Sequence, residues 1–167
     1  MASPAALSAE RETVRRVVHG VNSMLSTLSH KYYLEVVGFE EVPSSMGIDA
    51  QSVINHYVSD DYDIFIGLMG VTLGSPTARA TSGTVEEYER ALARAKGNLG
   101  DVHIMFYFKE VEEVSQAVLD FRVRIAGEGL WYKTFTGTEE LMQSLYPGLM
   151  QTVLQWDYSK LTPQPET

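Results

Sequence analysis

The run Asp63-Ile64-Phe65-Ile66-Gly67-Leu68-Met69 decides the fold. It is almost uninterrupted apolar, the pattern of a central strand buried on both faces of a parallel sheet. A similar run spans Val102 to Phe108. Between them Thr84–Lys96 places Val85, Tyr88, Leu92 and Ala95 on one helical face, and Gly97-Asn98-Leu99-Gly100 stops that helix. Strand, helix, strand in this order predicts an α/β domain.

The alternation extends in both directions. Ser8 to Leu28 repeats Val14, Val17, Val18, Val21 and Leu25 at helical spacing. Tyr32 to Phe39 is β-branched and aromatic and reads as a strand. Pro43–Gly47 reads as a loop and Asp49–Val58 as a short helix. Glu110–Ile125 reads as a helix, Leu130–Phe135 as a last short strand, and Thr138–Tyr158 as a helix that Pro147 breaks or kinks. Trp131 and Trp156 fall at core spacing. The predicted architecture is a three-layer, flavodoxin-like domain with a mainly parallel sheet over residues 1–159, followed by a tail at 160–167. Only Met1-Ala2-Ser3 is available for a strand before the first helix, so the first strand is expected to be absent or the chain to begin inside it. Folds of this kind bind ligands at the carboxyl ends of the strands, where strand order reverses.

Composition narrows the function. The chain has 167 residues, with 13 basic and 22 acidic side chains and a net charge of −9. That balance argues against duplex nucleic acid, which needs Lys and Arg to displace counterions. A hydrophobic share of 44% excludes wholesale disorder. No apolar run approaches the ~18 residues of a membrane span. The absence of cysteine removes disulfides, thiolate metal sites and a Cys nucleophile. The opening Met1-Ala2-Ser3-Pro4 has no signal-type character, so a cytoplasmic protein is expected.

Chemistry concentrates between Gly70 and Ala91. The loop Gly70–Gly83 carries one base, Arg79. Loops of this length in a compact domain are usually functional. Thr84 with Glu87 has the spacing of a capping box. Glu87 is either that cap or a pocket carboxylate at a strand's carboxyl end, and a cap can hold such a carboxylate in place. Glu86 and Glu89 read as solvated helix charges. Arg79 is either a surface residue or a phosphate clamp, since guanidinium binds phosphate oxygens bidentately. Ser3 and Ser8 lead into the first helix, where free N–H groups favour anions. The plainer reading there is an N-cap by Ser8, with Glu10 and Glu12 complementing the dipole. Ser82 and Thr84 border the same loop, and Phe39 or Tyr88 could stack on a base. His19, His30, His56 and His103 form no ligand-spaced pair, and Asp60, Asp61 and Asp63 read as a solvated acidic turn, so no metal site is expected. Dinucleotide-fold, P-loop and serine-hydrolase signatures do not occur.

The stretches Asp63–Gly70, Leu73–Ala91 and His103–Lys109, with Ala2-Ser3-Pro4, Ala9–Glu12 and Val37–Asn55, resemble a TIR-like domain of unassigned function found at the N-termini of large bacterial signalling and NTPase proteins. The resemblance covers roughly residues 2–126. The wider superfamily holds TIR domains and nucleoside deoxyribosyltransferase-like enzymes. Gly83-Thr84-Val85-Glu86-Glu87 with Ala91 is similar to the transferase pattern, which places Glu87 at the carboxylate position. The TIR pattern that includes Trp and Cys is not reproduced. The resemblance implies N-glycosidic chemistry, with NAD as a substrate rather than a cofactor.

Two functions follow as expectations. One is an NAD or nucleotide N-glycosidase. Glu87 would stabilise the ribosyl cation, while Arg79, Ser3 and Ser8 hold the diphosphate. The other is a non-catalytic module that acts by self-association or by docking to other domains of a larger protein. Neither calls for nucleic acid or a membrane.

Overall fold

The two apolar runs form the centre of a parallel sheet. The computed structural model describes residues 1–38, 62–77, 80–97 and 102–161, with side chains to 156. In chain order the elements are α1 (Ser8–Thr27), β1 (Ile64–Met69), α2 (Gly83–Gly97), β2 (His103–Lys109), α3 (Gln116–Gly127), β3 (Lys133–Phe135) and α4 (Thr138–Leu161). The sheet order is β1-β2-β3 and both pairings are parallel. Ile64 lies opposite His103, and Tyr107 opposite Lys133. The α/β class expected from the sequence is therefore observed.

Side chains alternate across the sheet and create two cores. Ile66, Leu68, Met105 and Tyr107 face α1 and α4. Phe65, Met69, Phe106 and Phe108 face α2 and α3. Three layers result, α1/α4, sheet, α2/α3, which is why β1 and β2 lack the polar alternation of a half-exposed strand. Helix α1 presents Val14, Val17, Val18, Val21 and Leu25 to its core, as its periodicity requires.

The N-terminal residues extend the sheet on the other side of β1. Ala2 bridges Gly67 in parallel. Its N–H donates to the Ile66 carbonyl at 2.9 Å, and the Leu68 N–H donates to the Ala2 carbonyl at 2.9 Å.

Several boundaries differ from expectation. Residues 32–38 are described but not assigned as strand, although alternate residues turn inward and Tyr32, Leu34 and Val36 pack on the α1/α4 core. The segment is fixed mainly by Asn22, whose side chain donates to the Leu34 carbonyl and accepts from the Leu34 N–H, both at 2.8 Å. The Met1 amino group donates to the Val37 carbonyl at 2.7 Å. Glu110 does not begin a helix, because its N–H continues the sheet by donating to the Phe135 carbonyl at 2.8 Å. α3 starts after Ser115, which caps it by accepting from the Val118 N–H. β3 begins at Lys133 rather than Leu130. α4 runs through Pro147, which is exposed, so the carbonyl freed by the missing N–H lies on the solvent side. Trp131 is 87% exposed rather than in the core. The expected loop at 43–47 and helix at 49–58 lie outside the described residues. Among those described, no helix is long and apolar enough to cross a membrane.

The start of α4 gives a pH prediction. Glu140 accepts from the Thr136 N–H at 2.7 Å and the Thr136 hydroxyl at 2.8 Å, and the N–H bond holds its carboxyl below the ordinary carboxylate value. A depressed carboxyl stabilises the fold above its unfolded value and loses that contribution as pH falls through the folded one. Amide protection at Thr136–Leu141, taken relative to the intrinsic exchange rate at each pH, should therefore fall on acidification, and Glu140→Gln should flatten that dependence.

Candidate functional site

Topology marks one crevice. Ala2 and Gly67 are neighbours in the sheet. The chain leaves Ala2 for α1 on one face and leaves β1 for α2 on the other. Adjacent parallel strands with helices on opposite faces form the switch point at which open α/β sheets bind ligands, at the strands' carboxyl ends. Ser3–Leu7, the loop after Met69 and the first turn of α2 meet there.

The N-terminal wall is organised by a buried arginine. The Arg11 Nη1 donates to the Ser3 hydroxyl at 3.2 Å and to the Pro4 carbonyl at 2.9 Å, and Nη2 donates to the Ala5 carbonyl at 3.3 Å. Ser3 is thus held by Arg11 within the wall. Ser8 is not the N-cap. That position is Leu7, with no side-chain cap bond, and Ser8 is an exposed first helical residue. Glu10 lies in the first turn of α1, where it complements the dipole as expected, but it is not a surface charge. It is buried and paired with Lys109 at the end of β2, Nζ to Oε1 at 2.7 Å, with side-chain exposures of 4% and 31%.

The loop wall packs on this segment. A Cβ at Gly70 would come within 3.2 Å of Leu7 Cδ2. Gly74 adopts φ +96°, which glycine alone tolerates cheaply, and lies against Pro4. Thr77 folds the loop back on itself. Its N–H donates to the Ala80 carbonyl at 3.1 Å, and its hydroxyl accepts from the Ala80 N–H at 3.0 Å. The same hydroxyl donates to Glu86 Oε2 at 2.7 Å. Glu86, expected as a solvated charge, is only 6% exposed. Glu89 is exposed as expected and pairs with Arg124 of α3 at 2.8 Å.

The start of α2 differs from the expected capping box. The helix begins at Gly83, and the Ser82 hydroxyl accepts from the Val85 N–H at 3.2 Å. Ser82 is the cap and is fully buried, while Thr84 is a buried residue of the first turn. Glu87 therefore sits one turn inside the helix, half-buried, and is not the reciprocal partner of Thr84. Glu87 lies about 200° round the helix from Glu89. Since Glu89 reaches α3, Glu87 occupies the flank away from α3, on the Ala2 side of the sheet.

Tyr88 is not placed to stack on a ligand. It is fully buried, edge-on to Phe106 and Phe121 at 5.8 and 5.5 Å. Its hydroxyl donates to Glu128 Oε2 at 2.8 Å. Burial first, and the Glu128 carboxylate second, push that hydroxyl well above its ordinary pKa. Tyr88→Phe should cost about 1–3 kcal/mol in a denaturant titration, the worth of a hydrogen bond to a charged group. Arg79, Phe39, Asp60 and Asp61 lie outside the described residues. Among the described residues no group of three His, Asp or Glu could hold a metal ion.

Sequence reading missed Glu10, Arg11, Lys109, Thr77 and Glu86. A signal existed for the first two. Glu10 lies four residues before Val14 and seven before Val17, and Arg11 seven before Val18, so both fall on the apolar face of α1.

Neither the curated proteins nor the solved structures contain a match to this chain. A protein-family model does match, over residues 3–150, and covers the N-terminal wall, the loop and all three strands. The chain belongs to the family described as domain of unknown function DUF4062.

Proposed function

We propose that the crevice is an N-glycosidic site for a nicotinamide dinucleotide, in the manner of the TIR-like domains the sequence resembles. The observation that carries this reading is the placement of Glu87. It lies early in α2 and is half-buried, and helical spacing sets it on the flank opposite Glu89, which pairs with Arg124 of α3. Cleavage breaks the ribosyl C1′–N bond, and the bonding electron pair leaves with neutral nicotinamide. Glu87 faces the oxocarbenium-like charge left on the ribose, and water adds to C1′ and loses a proton, giving ADP-ribose. A carboxylate fixed before the reaction needs no reorganisation as that charge develops. Lys109 at the end of β2, paired with Glu10 and one-third exposed, is a described cation at a strand's carboxyl end that could meet a diphosphate.

A second reading is a non-catalytic module working by self-association or by docking to other domains. The close packing of Leu7 on Gly70 and of Pro4 on Gly74, which seats the described part of the loop on the N-terminal segment, favours it. Nicotinamide release from NAD separates the two. It is measured with the protein alone and with the protein fused to an oligomeriser. Release in either form supports the glycosidase, and none in both leaves the interaction module.

A further inference from the structure

β3 is shorter than the strand it accompanies. It pairs with Tyr107–Lys109, whereas β2 begins at His103. The His103 N–H donates to the Asp63 carbonyl, so odd-numbered residues of β2 turn their backbone groups to β1 and even-numbered ones to the β3 side. Ile104 and the N–H of Phe106 therefore face a side on which no described strand lies opposite. Such an edge is a template for another strand.

An open cleft of 270 Å³ runs along this edge. Met105 and Tyr107 form its floor, and Gly148, Gln151 and Thr152 of α4 one wall. Trp131 and Lys133 form the other. Trp131 is 87% exposed, although burial of an indole is strongly favourable. Gly148 leaves the α4 wall open, since a Cβ there would meet Tyr107 Oη and Met105 Cε only at 3.7 and 3.9 Å. Among the described residues lining the cleft, Lys133 is the one permanently charged side chain, because desolvation lowers the His103 imidazole from its ordinary pKa.

We propose that this cleft docks an extended, acidic peptide segment of a partner protein, which adds a strand to β2 at Ile104–Phe106 beneath Trp131. The main-chain edge selects an extended backbone, and alternate side chains of the added strand fall toward α4. Lys133 selects the acidic residue. A second copy of this chain fits less well, since it would join two molecules of charge −9 each, a far larger repulsion than a single acidic residue meets beside Lys133.

The test uses the full chain and a panel of capped hexapeptides alternating threonine and valine, with aspartate, alanine or lysine at the third position. Amide exchange is followed residue by residue. The Ile104 and Phe106 amides should exchange readily in the free protein and slow by at least about tenfold with the aspartate peptide, a change worth about 1.4 kcal/mol. The alanine peptide should bind less and the lysine peptide least. Lys133→Glu should reverse that order, and Gly148→Leu, which fills the cleft from a helix, should abolish binding. Four results would overturn the proposal. The two amides are already protected in dilute free protein. No peptide protects them at millimolar concentration. Binding ignores Lys133→Glu. Protection rises with protein concentration alone, which assigns the edge to a second copy.

Discussion

Gly67→Ala should lower stability by about 2–3 kcal/mol, near the top of the range for overpacking a core. Gly67 lies in mid-β1, opposite Phe106. A Cβ built there would overlap the Phe106 ring. That ring has nowhere to go. It stacks on Phe108 at 4.9 Å and lies edge-on to Tyr88 and Phe121 at 5.8 and 5.6 Å. The sheet must separate locally or the aromatic cluster must repack. For a domain of this size the midpoint should fall by roughly 5–10 °C in a thermal melt. Phe106→Leu removes the obstructing ring edge, so the double variant should be less destabilised than the sum of the single ones. A coupling of about 1 kcal/mol or more is expected for two residues in direct contact. Additive effects would mean that Gly67 is there for another reason.

Lys109→Met should be at least as costly, at about 3 kcal/mol, because it leaves the buried Glu10 carboxylate without its cation. Removing both charges, with Glu10→Gln in the same chain, should recover most of the loss. Two unlike charges taken out of water roughly repay their desolvation, and it is the orphan that is expensive. The pair joins the start of α1 to the end of β2 across 99 residues of sequence. Its loss should therefore also raise amide exchange at the N-terminal end of α1, beyond any global change. Equal destabilisation in the single and double variants would contradict this account.

The layers were legible because apolar runs and helical periodicity are local. β1, α2, β2 and α1 fall within two residues of their expected bounds. What failed depended on distant partners. Val111, Val114 and Val118 mimic helical spacing, but the Glu110 N–H is taken by Phe135 of β3. Tyr32–Gly38 has a strand's alternation but no strand assignment, and its bonds at Leu34 and Val37 run to Asn22 of α1 and to the Met1 amino group, partners that sequence alone does not show. Trp131 looks like core in any hydrophobic tally, but it stands where β3 has already left the edge of β2. In the site, the switch point between Ala2 and β1 followed from chain order. The burial of Glu86 did not, because it is created by Thr77 from across the loop. The capping box failed by two residues, since Ser82 and Thr84 offer the same hydroxyl and only the fold decides which begins the helix.

The adjacent carboxylates Glu86 and Glu87 allow the most direct test. Glu86 is buried and engaged by Thr77, whereas Glu87 is half-buried and is the carboxylate the proposal places at the crevice. Nicotinamide release from NAD should be measured for the oligomer-fused protein, for Glu87→Gln and for Glu86→Gln, with thermal melts as a control for folding. Glu87→Gln should keep its melting point and lose at least about a hundredfold in rate, the scale of removing one preorganised electrostatic group. Glu86→Gln should shift the melt and retain measurable turnover. Full activity in a folded Glu87→Gln protein, or no release from the assembled wild type, would contradict the proposed site.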